Sequence, residues 1–405
     1  MLSEWQTNFW KISYVVNTIS GRMRLRISGV ACSSRARMCE TEAELRDLKN
    51  TSTLRRLLTQ VLPVSSTSQD SPCLTELKSA PTSGLLEYLR GDMALTLPPG
   101  FAASVLFLCL RQINQGGEHA RTRSFCIAFV SAIKAVLKKH CNDLDMTALW
   151  LKNGSLLHDL LAQHSSKQTC DSEEIVPLLV DLGDQIRALN DLCIQAYQQL
   201  LSITEARLQN ILSENISSLP GSAGKRPLSR KRASSDPRMI GGEAPSMSSL
   251  LRELRALHTA MSRQALAPEL IEQAFHQLTY LMSASAFNSL LLRKDMCSWS
   301  RGMQIRYNLS LLEEWLRSRE LSAGGAVTSL EPLIQAVQLL QMGKKTESDA
   351  QSLVQTCTAL SSQQIVKILT LYTPHSDLDE RVTLNFIRMV QGLFKTALTA
   401  RLHSS

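Results

Sequence analysis

The stretch FNSLLLRKDMCSWSRGMQIRYNLSLLEEWLR, Phe287–Arg317, carries the pattern that decides the fold. Two apolar segments flank a polar break at Arg293–Asp295, and the second segment repeats apolar residues at intervals of three and four. Those residues are Ile305, Leu309, Leu312 and Leu316. Such spacing places the four side chains on one face of an α-helix. The stretch therefore predicts a helix, a short break and a second helix with one buried face.

Helical periodicity continues on both sides of this stretch. It covers Arg123–His140, Asp143–His164 and Ile175–Leu212 upstream, and Glu331–Met342, Thr346–Leu360, Ser362–Tyr372 and Arg381–Lys395 downstream. We expect the second of these helices to break at Asn153-Gly154, because glycine weakens a helix interior. Pro268 is expected in a first helical turn, where its missing N–H is not needed. Since no segment predicts a strand pair or a hairpin turn, the fold class is all-α.

The segment Ile175–Leu212 is the longest helical signal, and two interpretations of it compete. Its apolar residues alternate at spacings of four and three, as in a coiled-coil seam. The pattern lasts only about three heptads, includes Gly183, and is widened by Leu192, Tyr197 and Leu201. A helix buried in a bundle is therefore favoured over a dimerising coil.

Two segments rich in Ser, Pro and Gly divide the helical pattern. Pro63–Pro81 resembles a linker, and Leu219-Pro220-Gly221 ends the longest helix. We therefore predict a poorly ordered leader and linker at 1–82 and a first helical subdomain at 83–218. A disordered basic loop at 219–245, a second helical subdomain at 246–395 and a tail end at 396–405 follow.

The formal net charge of +8 is concentrated in two of these segments. Residues 1–40 and residues 219–245 each carry a net +4, so the remainder of the chain is neutral. A nucleic-acid binder is expected to spread basic residues over a folded face. The charge distribution therefore argues against nucleic acid as a partner.

The 10 cysteines and the hydropathy pattern indicate the compartment. No CxxC pair and no Cys/His group with zinc-ligand spacing occurs, which favours buried thiols in a reducing compartment. The strongest apolar stretch, Phe101–Leu110, has about half the ~20 residues that span a bilayer. The N-terminus lacks the apolar core of a secretory signal. We expect a cytosolic chain with no transmembrane segment.

No catalytic constellation is found. A nucleotide-driven enzyme needs a GxxxxGK[ST] loop after a strand, and the nearest approaches, at Gly221–Lys225 and Gly343–Thr346, lack the leading glycine. The eight histidines form no HExxH motif and no evident triad. We predict a protein that is not an enzyme and that holds no metal or cofactor.

Three segments carry a resemblance to a known family. They are Phe287–Arg317, Ser329–Ala350 (SLEPLIQAVQLLQMGKKTESDA) and Gln364–Pro374 (QIVKILTLYTP). Together they resemble the dilute domain of the class V myosin globular tail. Pro98–Gln112 and Ser131–Lys139 are similar to the first subdomain of that tail.

The resemblance implies an elongated rod of two helical subdomains that docks vesicle and organelle adaptors for actin-based transport. Its partners would be Rab GTPases, cargo adaptor proteins and a myosin heavy chain. The heavy chain would contribute either the motor heads, which a folded-back tail inhibits, or a coiled-coil dimer partner. Contact with actin would be indirect, through a motor. The chain would be cytoplasmic and would associate with vesicles or organelles through its adaptors.

Parts of the chain depart from the family pattern. It contains no motor, IQ repeat or long coiled coil, and residues 1–82 have no counterpart in the resemblance. The family's chain continues beyond the last helix, so a splice form or an incomplete gene model is expected to explain both ends. A motor-free protein that competes for the same adaptors stays an alternative. A helical vesicle-tethering subunit is another, although it should lack the RKDMCSW…MQIRYN block.

Two groups of residues are candidates for partner binding. One lies around the break between the two central helices and comprises Arg293, Lys294, Trp299, Arg301, Gln304 and Arg306. Trp and Arg are frequent interface anchors. The competing interpretation is that Trp299 and Met296 lie in the core and that the charged residues are only paired or solvated. Lys344 and Lys345 form the second group. They either correspond to the basic residues with which the family contacts the motor head, or they lie in a solvated loop. The family usually has Lys where this chain has Glu272.

A third candidate site is regulatory. Arg230-Lys231-Arg232-Ala233-Ser234-Ser235 places two serines just after three basic residues. Basophilic kinases recognise basic residues two and three positions before the acceptor, so Ser234 and Ser235 are predicted phosphorylation sites. A plain flexible linker is the alternative.

Overall fold

The computed structural model describes residues 92–115, 117, 119–165, 178, 180–218, 245–374 and 381–403. The predicted leader at 1–82, all but the last residue of the basic loop at 219–245, and the last two residues of the tail end lie outside these ranges. The predicted subdomain boundaries stay predictions.

The described residues form α-helices joined by turns and three short 3₁₀ helices, with no β-strand among them. The helices are α1 (Phe101–Gln115), α2 (His119–Lys139), α3 (Leu144–Ser165), α4 (Gly183–Ser218), α5 (Pro245–Arg263), α6 (Pro268–Leu292), α7 (Trp299–Ser318), α8 (Glu331–Gln341), α9 (Glu347–Thr356), α10 (Ser362–Leu371) and α11 (Leu384–His403). The predicted all-α fold class is confirmed.

The chain divides into two compact units. The first comprises the residues up to Lys139 together with Leu149–Ile194, and the second comprises His140–Ala148 together with the residues from Gln195 onward. Large side chains that are almost fully buried form the core of each unit. They include Phe107, Phe129, Leu149, Leu157 and Leu161 in the first unit and Tyr197, Leu254, Phe275, Leu290, Leu340, Ile365 and Phe386 in the second.

Local sequence signals set several helix ends in the second unit. Pro268 occupies the first turn of α6, as predicted. The Thr346 hydroxyl accepts the Asp349 N–H while the Asp349 carboxylate accepts the Thr346 N–H, which forms a capping box at the start of α9. Ser361 and Gln364 form an equivalent box at the start of α10.

The predicted break at Asn153-Gly154 is wrong, because α3 runs without interruption. The Asn153 amide donates to the Leu149 carbonyl over 2.8 Å, and its Oδ1 accepts the Ala103 N–H over 2.9 Å. A Cβ on Gly154 would lie 2.9 Å from the Cys193 sulfur. The glycine therefore permits close helix packing in the first unit and does not end the helix.

The longest helix begins later than predicted. Asp181 accepts the Gly183 N–H over 3.0 Å in a turn that precedes α4, so the helix begins at Gly183 rather than at Ile175. Its apolar stripe is buried within the single chain, and Leu189, Leu200 and the extra Tyr197 are each at most 1% exposed. The bundle interpretation of this helix is confirmed over the coiled-coil seam.

The described cysteines match the expectation of buried thiols, except for exposed Cys141. Burial raises the pKa of Cys126 and of Cys193 to about 12, so both thiols stay protonated. Within the described ranges, no helix combines the length and the apolar character that a membrane crossing requires.

Candidate docking surface

The connection between α6 and α7 is a compact, hydrogen-bonded junction. A 3₁₀ turn at Lys294–Met296 follows α6, and Met296 and Cys297 are buried. The Cys297 thiol donates to the Leu290 carbonyl over 3.0 Å. Ser298 then begins α7, because its hydroxyl accepts the Arg301 N–H. These bonds fix the direction in which α7 leaves the junction.

The segment after α10 closes on this junction. The Thr373 backbone N–H donates to the Cys297 carbonyl over 2.7 Å, and the Thr373 hydroxyl donates to the Lys294 carbonyl over 3.0 Å. These contacts join residues that are far apart in the sequence. The junction is therefore held from both sides.

The first turn of α7 lies close against α8. Gly302 is buried, and a Cβ at this position would lie 3.0 Å from the Leu340 Cβ and 3.4 Å from the Val337 carbonyl oxygen. A glycine is needed for this approach, since the Leu340 Cβ cannot rotate away. The helix that carries the predicted site therefore sits on a rigid base.

The outer face of α7 exposes three large side chains, which we call the α7 stripe. Trp299 is 46% exposed, Met303 46% and Tyr307 50%. Their spacing of four places them on one helical face, away from the buried Leu309, Leu312 and Leu316. Exposed aromatic and Met side chains are enriched in protein interfaces. The α7 stripe thus has the composition of an interface core.

Charged residues at the junction are partly paired. The Arg293 guanidinium donates to Asp295 over 2.7 Å, and this hydrogen bond lowers the pKa of the Asp295 carboxyl. On α7, Arg306 lies 3.5 Å from the buried carboxylate of Glu313. Its guanidinium therefore compensates a charge that the core would otherwise leave unpaired.

Lys344 packs against the protein, unlike a solvated loop residue. Its ammonium donates to the Leu340 and Met342 carbonyls over 3.0 and 2.6 Å, at the C-terminal end of α8. The same group lies 4.3 Å from the centroid of the Tyr372 ring. A cation at a helix C-terminus is favoured by the helix dipole. Lys345, next to it, is exposed.

The structure thus separates the predicted candidates. Trp299 is exposed whereas Met296 is in the core. The competing interpretation therefore holds for Met296 and for the paired Arg293 and Arg306, but not for Trp299. Lys294 is exposed, while Arg301 and Gln304 are half-buried on α7. Tyr372 contacts Lys344, and its neighbour Thr373 bonds to the junction, so one short segment touches both predicted groups. Ser234 and Ser235 lie outside the described residues.

Two residues of the stripe were missed at the sequence level. Met303 and Tyr307 follow Trp299 at a spacing of four, opposite the buried stripe, and this periodicity could have identified them. Among the described residues, no group of three His, Cys, Asp or Glu side chains is placed to hold a metal ion.

Comparison with known families identifies a domain that contains this surface. Residues 273–376 match the DIL domain. The match begins in α6 and includes α7, α8, α9 and α10, so it covers the junction, the α7 stripe and Lys344.

Curated relatives extend the similarity over most of the chain. The chain is 42% identical over 335 residues to human unconventional myosin-Vb, an alignment that covers 76% of this chain. It is 41% identical over 318 residues to human unconventional myosin-Va, again over 76% of this chain. The alignments cover only 18% and 17% of these relatives, so the chain spans less than a fifth of their length.

Solved structures share the fold. The cargo-binding domain of yeast myosin 5 matches with a TM-score of 0.58 at 18% identity, over 81% of this chain and 84% of that one. Myo2-GTD in complex with Mmr1 matches with a TM-score of 0.57 at 18% identity, over 80% and 84%. At this identity the match establishes the helical fold.

Proposed function

We propose that this chain, a DIL-domain member of the class V myosin globular-tail family, docks cargo adaptor proteins for actin-based transport. The family relationship supports this proposal. Similar folds are described in complex with Mmr1 and with Smy1, which indicates that such a tail can hold a protein partner. The proposal assigns the chain no ATPase activity of its own, since its sequence lacks a phosphate loop.

The α7 stripe is the observation that carries the proposal. Trp299, Met303 and Tyr307 present an apolar surface that is about half exposed in the single chain. A protein partner that covers them would bury aromatic area on a helix that Gly302 and the junction hold in place. Little conformational freedom is then lost when the partner binds.

The partner class that we propose is a Rab GTPase or a Rab-linked adaptor. Binding to either would associate the cytoplasmic chain with vesicles or organelles. The charged residues around the stripe, among them Lys294 and Arg301, would then set orientation and association rate more than affinity.

A titration panel tests this proposal. The purified chain is titrated with Rab GTPases loaded with either GTP analogue or GDP, and with cargo adaptors of class V myosins. We expect at least one to bind with a Kd of about 1 μM or tighter. Failure of the whole panel to bind a folded chain would contradict the proposal.

We further propose that the chain inhibits class V motor heads when supplied in trans. Lys345 is the exposed member of the lysine pair, whereas Lys344 is engaged with α8 and Tyr372. We expect the chain to lower the actin-activated ATPase of a tail-less motor, and Lys345→Glu to weaken that effect. An ATPase rate that the chain leaves unchanged would remove this part of the proposal.

Phosphorylation of Ser234 and Ser235 is the regulatory proposal. Each phosphate adds about −1.5 to −2 charges, so two would offset most of the +4 of residues 219–245. Release of an acidic adaptor segment or an anionic membrane surface would follow. Binding to liposomes and adaptors is compared for wild type, Ser234→Ala/Ser235→Ala and Ser234→Asp/Ser235→Asp. If all three proteins bind equally at low and at physiological salt, the phosphorylation proposal is wrong and the segment serves only as a tether.

A further inference from the structure

A second concave surface in the second unit is built from arginines. It is a groove of about 700 Å³ between the start of α3, α4 and α5. Arg207 contributes from α4 and Arg252, Arg255 and Arg263 from α5, whereas the carboxylates in the lining are Asp143 and Asp145. Residues with short side chains, Ala256, Thr259 and Ala260, form part of the wall and leave the space open.

Three of the arginines are held in position by acidic groups. Arg207 lies 3.5 Å from Glu253 and donates to the Asn142 carbonyl over 3.0 Å. Arg252 lies 3.4 Å from the same Glu253. Arg263 donates to Asp145 over 3.2 Å. Since each guanidinium carries five N–H donors in a planar fork, these contacts orient the side chains and leave donors unused.

Arg255 differs from the other three. It lines the groove and forms no hydrogen bond or ion pair with any other residue in the described ranges. The two carboxylates of the lining are already engaged, because Asp143 accepts the Met146 N–H over 3.1 Å and Asp145 pairs with Arg263. The groove therefore offers an uncompensated guanidinium and several spare donors.

From this geometry we infer that the groove binds a phosphoserine or phosphothreonine segment of a partner protein. A phosphate group carries about −1.5 to −2 charges and accepts several charge-assisted hydrogen bonds, which suits arginine forks better than one carboxylate does. A ligand must compete with the carboxylates already present in the groove for the arginine N–H donors. A phosphate dianion competes better than the single carboxylate of an acidic side chain.

Other anionic occupants fit less well. A flat anionic membrane would meet Asp143 and Asp145 along with the arginines, and a groove is a poor match to a plane. The chain's own segment at 219–245 carries a net +4 in its unphosphorylated form, and in that form it is repelled by the arginines. A phosphorylated peptide can enter the groove with one group and leave its flanks in solvent.

The test uses a degenerate peptide library with a fixed phosphoserine, its unphosphorylated counterpart, and vesicles that contain a phosphatidylinositol phosphate. The full chain is compared with Arg252→Gln/Arg255→Gln and with Arg388→Gln. Arg388 is an exposed arginine on α11 outside the groove, so it controls for charge alone. Arg207 and Arg263 are kept, because their contacts also support the fold.

We expect the phosphorylated library to bind at least about tenfold more tightly than the unphosphorylated one. The double variant should lose that preference and Arg388→Gln should keep it, with unchanged thermal unfolding in both. No phosphate preference, or an equal preference in the double variant, overturns the inference. Arginine-dependent binding to vesicles without binding to the library also overturns it, in favour of a lipid headgroup.

Discussion

Thr373 donates its backbone N–H to the Cys297 carbonyl over 2.7 Å, and its hydroxyl reaches the carbonyl of Lys294 over 3.0 Å. The segment after α10 is thereby bonded to the start of α7. Tyr372, one residue earlier, is buried and lies against the ammonium group of Lys344. Stability of this segment and positioning of the α7 stripe should therefore change together.

Removal of the Thr373 hydroxyl tests this link. Thr373→Val keeps the shape of the side chain but leaves the Lys294 carbonyl without its hydroxyl donor. We expect the free energy of unfolding to fall by about 1 kcal/mol, measured by urea denaturation. Thr370→Val, which removes an exposed bond within α10, is the matched control and should change stability less. Equal losses for the two variants would argue against the link.

Lys344 provides a second prediction about stability. Lys344→Met removes the donor to two carbonyls at the end of α8 and the cation over Tyr372. Loss of the dipole and cation–π contributions is expected to cost about 1–2 kcal/mol. Lys367→Met, at an exposed site on α10, should have a smaller effect. If both lysine variants unfold at the same urea concentration as wild type, Lys344 is a solvated loop residue after all.

Gly302 should tolerate no side chain. Gly302→Val places a branched side chain against Leu340 and Val337, which forces α7 away from α8. We expect a loss of about 1–3 kcal/mol and weaker adaptor binding. At Gly392 on α11, a Cβ meets nothing within 4 Å, so Gly392→Val should leave stability nearly unchanged. A stable Gly302→Val variant would show that the close approach is not required.

The stability of the second unit should depend on the protonation of His258. This ring lies 5.9 Å from Phe275 and 6.4 Å from Trp315, and burial, with Arg319 nearby, lowers its pKa below the usual 6.5. The unfolded state therefore binds the proton more readily than the folded state. The contribution of a neutral His258 is complete above about pH 6.5 and is lost as the pH falls below it. The free energies of unfolding of wild type and His258→Gln, measured from pH 5 to pH 8, should diverge on the acidic side. The same dependence on pH in both proteins would contradict this.

Much of the fold could be predicted from the sequence because helix signals are local. The apolar period of α7, Pro268 at the start of α6 and the Thr346–Asp349 box each depend on residues within a few positions. Gly154 was misinterpreted because its role depends on Cys193, which is distant in the sequence.

The candidate site likewise combines features that the sequence predicts with features that depend on contacts between distant residues. Trp299 and the arginines could be proposed from residue type and from the family resemblance. The capping role of Lys344 could not, because it depends on the placement of Tyr372 beside the end of α8. The groove around Arg255 could not be predicted either, because it joins α3, α4 and α5 in space.

The most direct test of the central claim is the ratio of adaptor affinities between two variants that each place a charge on an exposed apolar site. Met303→Glu alters the centre of the α7 stripe, and Leu384→Glu alters a residue on α11 that is 70% exposed. Both are titrated with a partner that the wild-type chain binds, after their unfolding is shown to match wild type. We expect Met303→Glu to weaken binding by at least about tenfold, roughly 1.4 kcal/mol, and Leu384→Glu to bind like wild type. Equal affinity of the two variants would contradict the claim that the α7 stripe is where this tail holds its cargo adaptor.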